Sequence, residues 1–111
     1  MMEKKLKHTA VLLALGDARQ PEITTEHLDE LAFLAETAGI HTVKRMVQNL
    51  KTPDPRTFIG KGKVEELKEF VGFHKVDTVI FDDDLSPSQL RNLEKELNPK
   101  ESELKVKIYD R

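Results

Sequence analysis

A chain of 111 residues, 38% hydrophobic and 34% charged, is sized for one folded domain burying roughly two-thirds of its unfolded surface. Its formal net charge of −2 excludes a protein held to nucleic acid by bulk positive charge, and leaves a local basic patch open. Zero cysteines exclude a disulfide scaffold and cysteine-ligated metals and fit a reducing cytoplasm, and no apolar stretch approaches the ~18 residues of a membrane span.

The opening MMEKKLKHTAVLLALGD places a basic segment before a short apolar run. Asp17 and Arg19 close that run too early for a secretory leader. Thr9 to Leu15 (TAVLLAL) reads instead as a strand buried on both faces. Leu28, Leu31, Ala32, Ala35 and Ala38 then recur at helical spacing. Thr24, Thr25 and Glu26 offer a capped start, and Gly39 a stop. Thr42 to Leu50 is a less regular strand with polar residues, expected near a sheet edge.

Lys51 to Gly62 reads as a loop with Pro53 and Pro55 and a brief extended piece at Phe58–Ile59. A second helix follows, with Val64, Leu67, Phe70 and Val71 on one face. Thr78 to Phe81 (TVIF) is a short central strand. Ser86, Pro87 and Gln89 form a capping box that opens a third helix striped by Leu90, Leu93 and Leu97 and ended by Pro99. Lys105 to Tyr109 (KVKIY) alternates like a last strand. The order β-α-β-α-β-α-β predicts an α/β fold: a four-stranded parallel sheet with helices on both faces.

In such sheets ligands bind beyond the carboxyl ends of the strands. Three loops belong to that edge: GDARQPEITT, KTPDPRTFIGKGK and DDDLSPS. The GKGK stretch is not a Walker loop. Val64 follows Lys63 where a hydroxyl is needed, and no glycine lies at the required distance before Gly60. Glu65 likewise occupies the third glycine position of a dinucleotide fingerprint. A helix start remains whose free N–H groups and positive dipole end attract anions, with Lys61 and Lys63 adding charge. Gly60 and Gly62 also suit a plain loop-to-helix bend, and both readings stay open.

Between Lys44 and Lys63 stand Lys44, Arg45, Lys51, Arg56, Lys61 and Lys63 against a single acid, Asp54. Such a surplus suits nucleic-acid phosphates, and it equally suits salt bridges to Asp82, Asp83 and Asp84 on the same edge. The triple aspartate is either a magnesium site or a set of loop acids beside a helix N-terminus. His8, His27, His41 and His74 are scattered without ligand spacing and read as surface or boundary residues. Nothing assembles a hydrolytic triad.

PDPRTFIGKGKVEEL (53–67) and VIFDDDLSPSQLRNLEKEL (79–97) resemble the paired signatures of the N-terminal domain of HflX-type GTPases. Asp54, Pro55, Thr57, Gly60, Gly62, Lys63 and Glu66 match the first. Asp82, Asp83, Leu85, Ser86, Pro87, Gln89, Arg91, Asn92, Leu93 and Glu94 match the second. LAFLAETAG (31–39) is similar to the family's first helix. Two departures show: Asp84 stands where Glu is usual, and 98–106 is a longer connection.

The resemblance implies a domain spanning 1–111 of a ribosome-associated GTPase, with the family's helical hairpin and G domain absent from this chain. It implies the large ribosomal subunit and its rRNA as partners, in splitting or rescue of stalled ribosomes. GTP and magnesium belong to the full-length parent. This fragment has no Walker A, D-x-x-G or N-K-x-D signature and is expected to take no cofactor, hold no metal and catalyse nothing alone. Arg56, Gly60, Lys61, Gly62 and Lys63 are the expected rRNA or phosphate contacts. Asp82, Asp83, Arg91, Asn92 and Glu94 are expected to face the domain's own hairpin and G domain. The alternative is an adenine-nucleotide site at the GKGK helix start.

Overall fold

The computed structural model describes residues 8–100 and 105–110. The basic opening segment, and the part of the 98–106 connection that covers 101–104, lie outside the described residues. The elements alternate as expected: β1 (His8–Gly16), α1 (Pro21–Thr37), β2 (Ile40–Asn49), α2 (Lys61–His74), β3 (Thr78–Phe81), α3 (Pro87–Leu97) and β4 (Lys107–Tyr109). The strands form one sheet in the order β2-β1-β3-β4, with every pairing parallel. β1 is therefore central, and its continuous apolar run is buried on both faces: Val11 and Leu13 face one layer, Ala10, Leu12 and Ala14 the other.

Each face carries its own core. On one side α2 and α3 pack Val64, Leu67, Val71, Leu93 and Leu97 against Val11, Leu13, Val79 and Phe81. On the other, α1 sets Leu28, Leu31 and Ala35 against Ala10, Leu12, Ala14 and Ile80. Consecutive strands β1 and β2 neighbour each other, whereas the connection through α2 crosses back over β1 to reach β3. The helices therefore change faces beside β1, and the carboxyl ends of β1 and β3 flank the switch point.

Several element boundaries differ from the sequence reading: β1 extends one residue at each end, to His8 and Gly16, and β4 begins at Lys107 rather than Lys105. α1 begins at Pro21 rather than behind Thr24–Glu26, and its N-cap, Gln20, makes no side-chain capping bond. Proline at the first helical position loses no hydrogen bond and comes with φ already set, so it starts the helix a turn early. Thr25 then bonds back to the Pro21 carbonyl at 3.2 Å from inside the helix. α2 begins at Lys61, so Gly60 is its N-cap and Gly62 lies within its first turn. β2 starts at Ile40, directly after Gly39, which turns the chain at φ 84°.

β2 looked irregular in sequence because it carries a bulge. Ala10 pairs with Thr42, but Val11 pairs with Lys44, leaving Val43 as the extra residue. The extra residue reverses the side-chain alternation, so Ile40 packs with the α1 layer and Met46 with the α2 layer. The capping box of α3 forms as expected, Gln89 N–H donating to Ser86 Oγ at 3.1 Å and Ser86 N–H to Gln89 Oε1 at 2.8 Å.

Candidate nucleic-acid interface

Because all strands run one way, the loops after β1, β2 and β3 emerge on one rim. The loop after β2 is held to that rim by a set of short bonds. Asp54 and Phe58 exchange both main-chain bonds, at 3.0 and 2.8 Å, closing a tight five-residue turn. The Asp54 carboxylate accepts from the N–H groups of Arg56 and Thr57 at 2.8 and 3.3 Å. The buried Thr57 hydroxyl donates to the Ile59 carbonyl at 2.8 Å. Two bonds then cross from α3: Gln89 Nε2 to the Asp54 carbonyl at 2.8 Å, and Asn92 Nδ2 to the Arg56 carbonyl at 2.9 Å.

The turn is also anchored from below. Phe58 takes φ 71° and points into the core, its ring edge-on to Phe81 at 5.8 Å. A β-carbon in this left-handed region costs of order 1 kcal/mol, and it persists where surrounding bonds over-determine the backbone. Arg56 is what this turn holds out to solvent. Its guanidinium reaches Glu96 at 3.6 Å while the side chain stays largely exposed.

Beside it lies the start of α2. Gly60 N–H donates to Gln48 Oε1 at 2.8 Å, so one of the expected phosphate donors is already engaged. Lys63 Nζ pairs with Glu66 Oε1 at 3.0 Å. Lys61 is exposed and carries no ion pair among the described residues, and Gly62 faces open space. Arg56, Thr57, Lys61, Val64, Glu65 and Glu96, with Asp54, line an open depression of about 410 Å³.

The six basic residues of 44–63 do not converge on one patch. Lys44 Nζ lies over the Phe70 ring at 5.7 Å on the α2 side of β2, and Arg45 bonds Asp29 of α1 at 2.7 Å on the other. The rim keeps Arg56, Lys61 and Lys63, with Lys51 where β2 ends. At the end of β1, Asp17 is bridged to Arg19 by hydrogen bonds at 2.9 to 3.2 Å, which hold its carboxyl below the usual range.

The aspartates occupy the switch point itself. Asp82 N–H bonds the Leu13 carbonyl at 2.8 Å, and its carboxylate is buried with His27 Nδ1 at 3.9 Å. Asp83 accepts from Asp84 N–H at 2.8 Å, and Asp110 from Leu85 N–H at 2.8 Å. Thr24, His27 and Glu30 complete a depression of about 440 Å³ around these acids. Among the described residues no group of three or more His, Asp or Glu is arranged to hold a metal ion.

Of the residues expected to face other domains, Asn92 is bonded inward, while Arg91 and Glu94 are exposed and their side chains make no bond among the described residues. Sequence reasoning missed Gln48, which takes the Gly60 amide, and the positive φ of Phe58. His27 is a surface residue as expected, with its Nδ1 3.9 Å from the Asp82 carboxylate. Nothing in the residue pattern marks Gln48, whereas a loop packing Pro, Asp, Arg, Thr and Phe between a strand and a helix does signal a tight turn.

A protein-family model described as GTP-binding GTPase N-terminal matches residues 25–111. The GTPase HflX of Flavobacterium psychrophilum is 40% identical over 98 residues, covering 86% of this chain and 24% of that protein. That of Lacrimispora saccharolytica is 36% identical over 107 residues, covering 96% and 25%. This chain thus spans about a quarter of the length of these curated relatives. Among solved structures, SsGBP in complex with GDP superposes with a TM-score of 0.62 at 21% identity, over 93% of this chain and 26% of that one, and so shares the fold. With its sheet, its two motif loops and its sequence kin in agreement, this chain belongs to the GTP-binding GTPase N-terminal family, the N-terminal domain of HflX-type GTPases.

Proposed function

We propose that this domain docks its parent GTPase onto ribosomal RNA of the large subunit through the Arg56–Lys61–Lys63 rim and restrains the neighbouring G domain. In this reading the parent binds GTP with magnesium in a separate domain after a helical hairpin, acts in splitting or rescue of stalled ribosomes, and works in the cytoplasm. No described helix is long and apolar enough to cross a membrane. The observation that carries the reading is the locked turn at 54–58. Side-chain entropy and loop ordering are costs of association, and a turn fixed beforehand avoids the second. Phosphate contacts dominate protein–RNA affinity; Lys61 offers one with no ion pair among the described residues, and Arg56 offers another by exchanging its 3.6 Å pair with Glu96 for a phosphate.

Arg91 and Glu94 face outward from α3 beside that rim and suit contacts with the parent's own hairpin or G domain, as Asp83 does from the neighbouring loop. The test is co-sedimentation of the full-length parent with large subunits. Charge reversal at Arg56, Lys61 and Lys63 is expected to weaken binding and flatten its salt dependence by about one to three units of slope. Unchanged affinity and slope would remove the rim from the account.

A second reading, an adenine nucleotide at the start of α2, is favoured by two observations: the helix has no side-chain cap, and Gly62 faces open space. The engaged Gly60 amide and the Lys63–Glu66 pair count against it. Amide shifts at Gly60 to Lys63 on titration with Mg-ATP would support it, and silence at millimolar nucleotide would end it.

A further inference from the structure

α2 runs away from the lysine–glycine rim and ends at the opposite edge of the sheet in Phe70, Phe73 and His74. Phe73 is 82% exposed, more than any other large apolar side chain described. Its ring lies edge to face with His74 at a centroid distance of 4.9 Å. His74 in turn tilts over Phe70 at 4.2 Å, and Lys44 Nζ lies 5.7 Å from the Phe70 centroid. Lys75, exposed and left-handed at φ 54°, ends the helix beside them.

Helical spacing explains the placement. Val64, Leu67 and Val71 turn into the core, which leaves Phe70, Phe73 and His74 on the flank beside β2. The bulge at Val43 brings Lys44 to the same side. The exposed rings of Phe73 and His74, backed by the half-buried Phe70, thus present a π surface to water with the ammonium groups of Lys44 and Lys75 around it, and Glu69, one turn before Phe73, bounds the cationic side.

We propose that this cluster is a stacking platform for an unpaired nucleotide of single-stranded RNA. The base stacks on Phe73, whose ring meets His74, and His74 in turn rests on Phe70. Lys44 and Lys75 lie where the flanking phosphates pass. Every base has a π face, so aromatic platforms flanked by cations bind single strands with little sequence preference. An aliphatic protein contact needs neither the rings nor the ammonium groups. The platform shares no residue with the rim and lies at the other edge, so either can fail alone.

The chain contains no tryptophan, so Phe73→Trp gives a unique reporter. A labelled ten-nucleotide oligouridylate is titrated by fluorescence anisotropy into the chain and its variants. Wild type and Phe73→Trp are expected to bind, with the tryptophan emission quenched on saturation. Phe73→Leu, which keeps apolar area and loses the π face, should bind about tenfold more weakly. Lys44→Gln with Lys75→Gln should weaken binding and lower the salt slope. Arg56→Glu with Lys61→Glu should leave the quenching in place. Absence of binding by the wild type, equal binding by Phe73→Leu, or unquenched emission at saturation would each overturn the proposal.

Discussion

The side-chain amide of Asn92 donates to the main-chain carbonyl of Arg56 at 2.9 Å, tying α3 to a turn that lies 36 residues earlier in the chain. One turn before it on the same helix, Gln89 holds the Asp54 carbonyl while its Oε1 caps its own helix. The second sequence motif therefore acts on the first. Its amides fix the backbone from which Arg56 projects, and none of that depends on what Arg56 touches.

Removing either amide should loosen the turn. Asn92→Ala is expected to cost about 1 kcal/mol, and Gln89→Ala about 1–2 kcal/mol because the helix cap is lost as well. The double variant should cost less than the sum, since both bonds hold one turn. Urea denaturation midpoints measure all three, and strict additivity would show that the turn is not a unit.

At Phe58 two effects oppose each other, and the substitution pair separates them. Phe58→Ala loses a buried ring packed on Phe81 while keeping a β-carbon at φ 71°, for an expected loss of about 3–5 kcal/mol. Phe58→Gly loses the same ring but relieves the backbone, and should be about 1 kcal/mol more stable than Phe58→Ala. Thermal unfolding decides it. A glycine variant less stable than the alanine one would mean that the positive φ carries no strain.

Two glycines of the rim predict opposite signs. A β-carbon at Gly16 would meet Asn49 Oδ1 at 2.7 Å and Val47 Cγ1 at 2.8 Å, so Gly16→Ala should destabilise by about 1–3 kcal/mol. At Gly62 a β-carbon meets nothing within 4 Å and the residue is helical, so Gly62→Ala should stabilise by about 0.5–1 kcal/mol. The same calorimetric scan checks both.

Acid titration tests the amino edge of the sheet. Burial works to raise the Asp77 carboxyl, but His8 at 2.8 Å, the Thr78 hydroxyl at 2.9 Å and the Thr9 N–H at 3.2 Å outweigh it and leave it lowered. A lowered carboxyl stabilises the fold above its unfolded value and loses that contribution as pH falls through the folded one. Asp77→Asn should therefore be less stable than wild type near neutrality, with the gap closing below about pH 4. A gap independent of pH would mean the carboxylate charge contributes nothing.

Much of this architecture was legible in the residues because local and global signals agreed. The apolar run of β1 required burial on both faces, and Ser86-Pro87-x-Gln89 wrote the start of α3 unaided. The misread boundaries had local causes: Pro21 competed with Thr24 and Thr25 for the helix start, and the bulge at Val43 hid the period of β2. The rim was foreseeable, since parallel strands send their loops to one edge. The partners of its residues were not. Arg45 to Asp29, Gly60 to Gln48 and Asn92 to Arg56 are long-range contacts set by packing, and no spacing rule encodes them.

These 111 residues hold no cysteine, so with any cysteine elsewhere in the full-length parent replaced, Arg56→Cys can carry a tethered Fe-EDTA probe at the tip of the locked turn. Bound to large subunits, that probe should cut rRNA at a few discrete positions, while the same probe at Glu26→Cys on the exposed side of α1 should cut little. Full occupancy with no cleavage from position 56, or equal cleavage from both positions, would contradict rRNA docking through this rim.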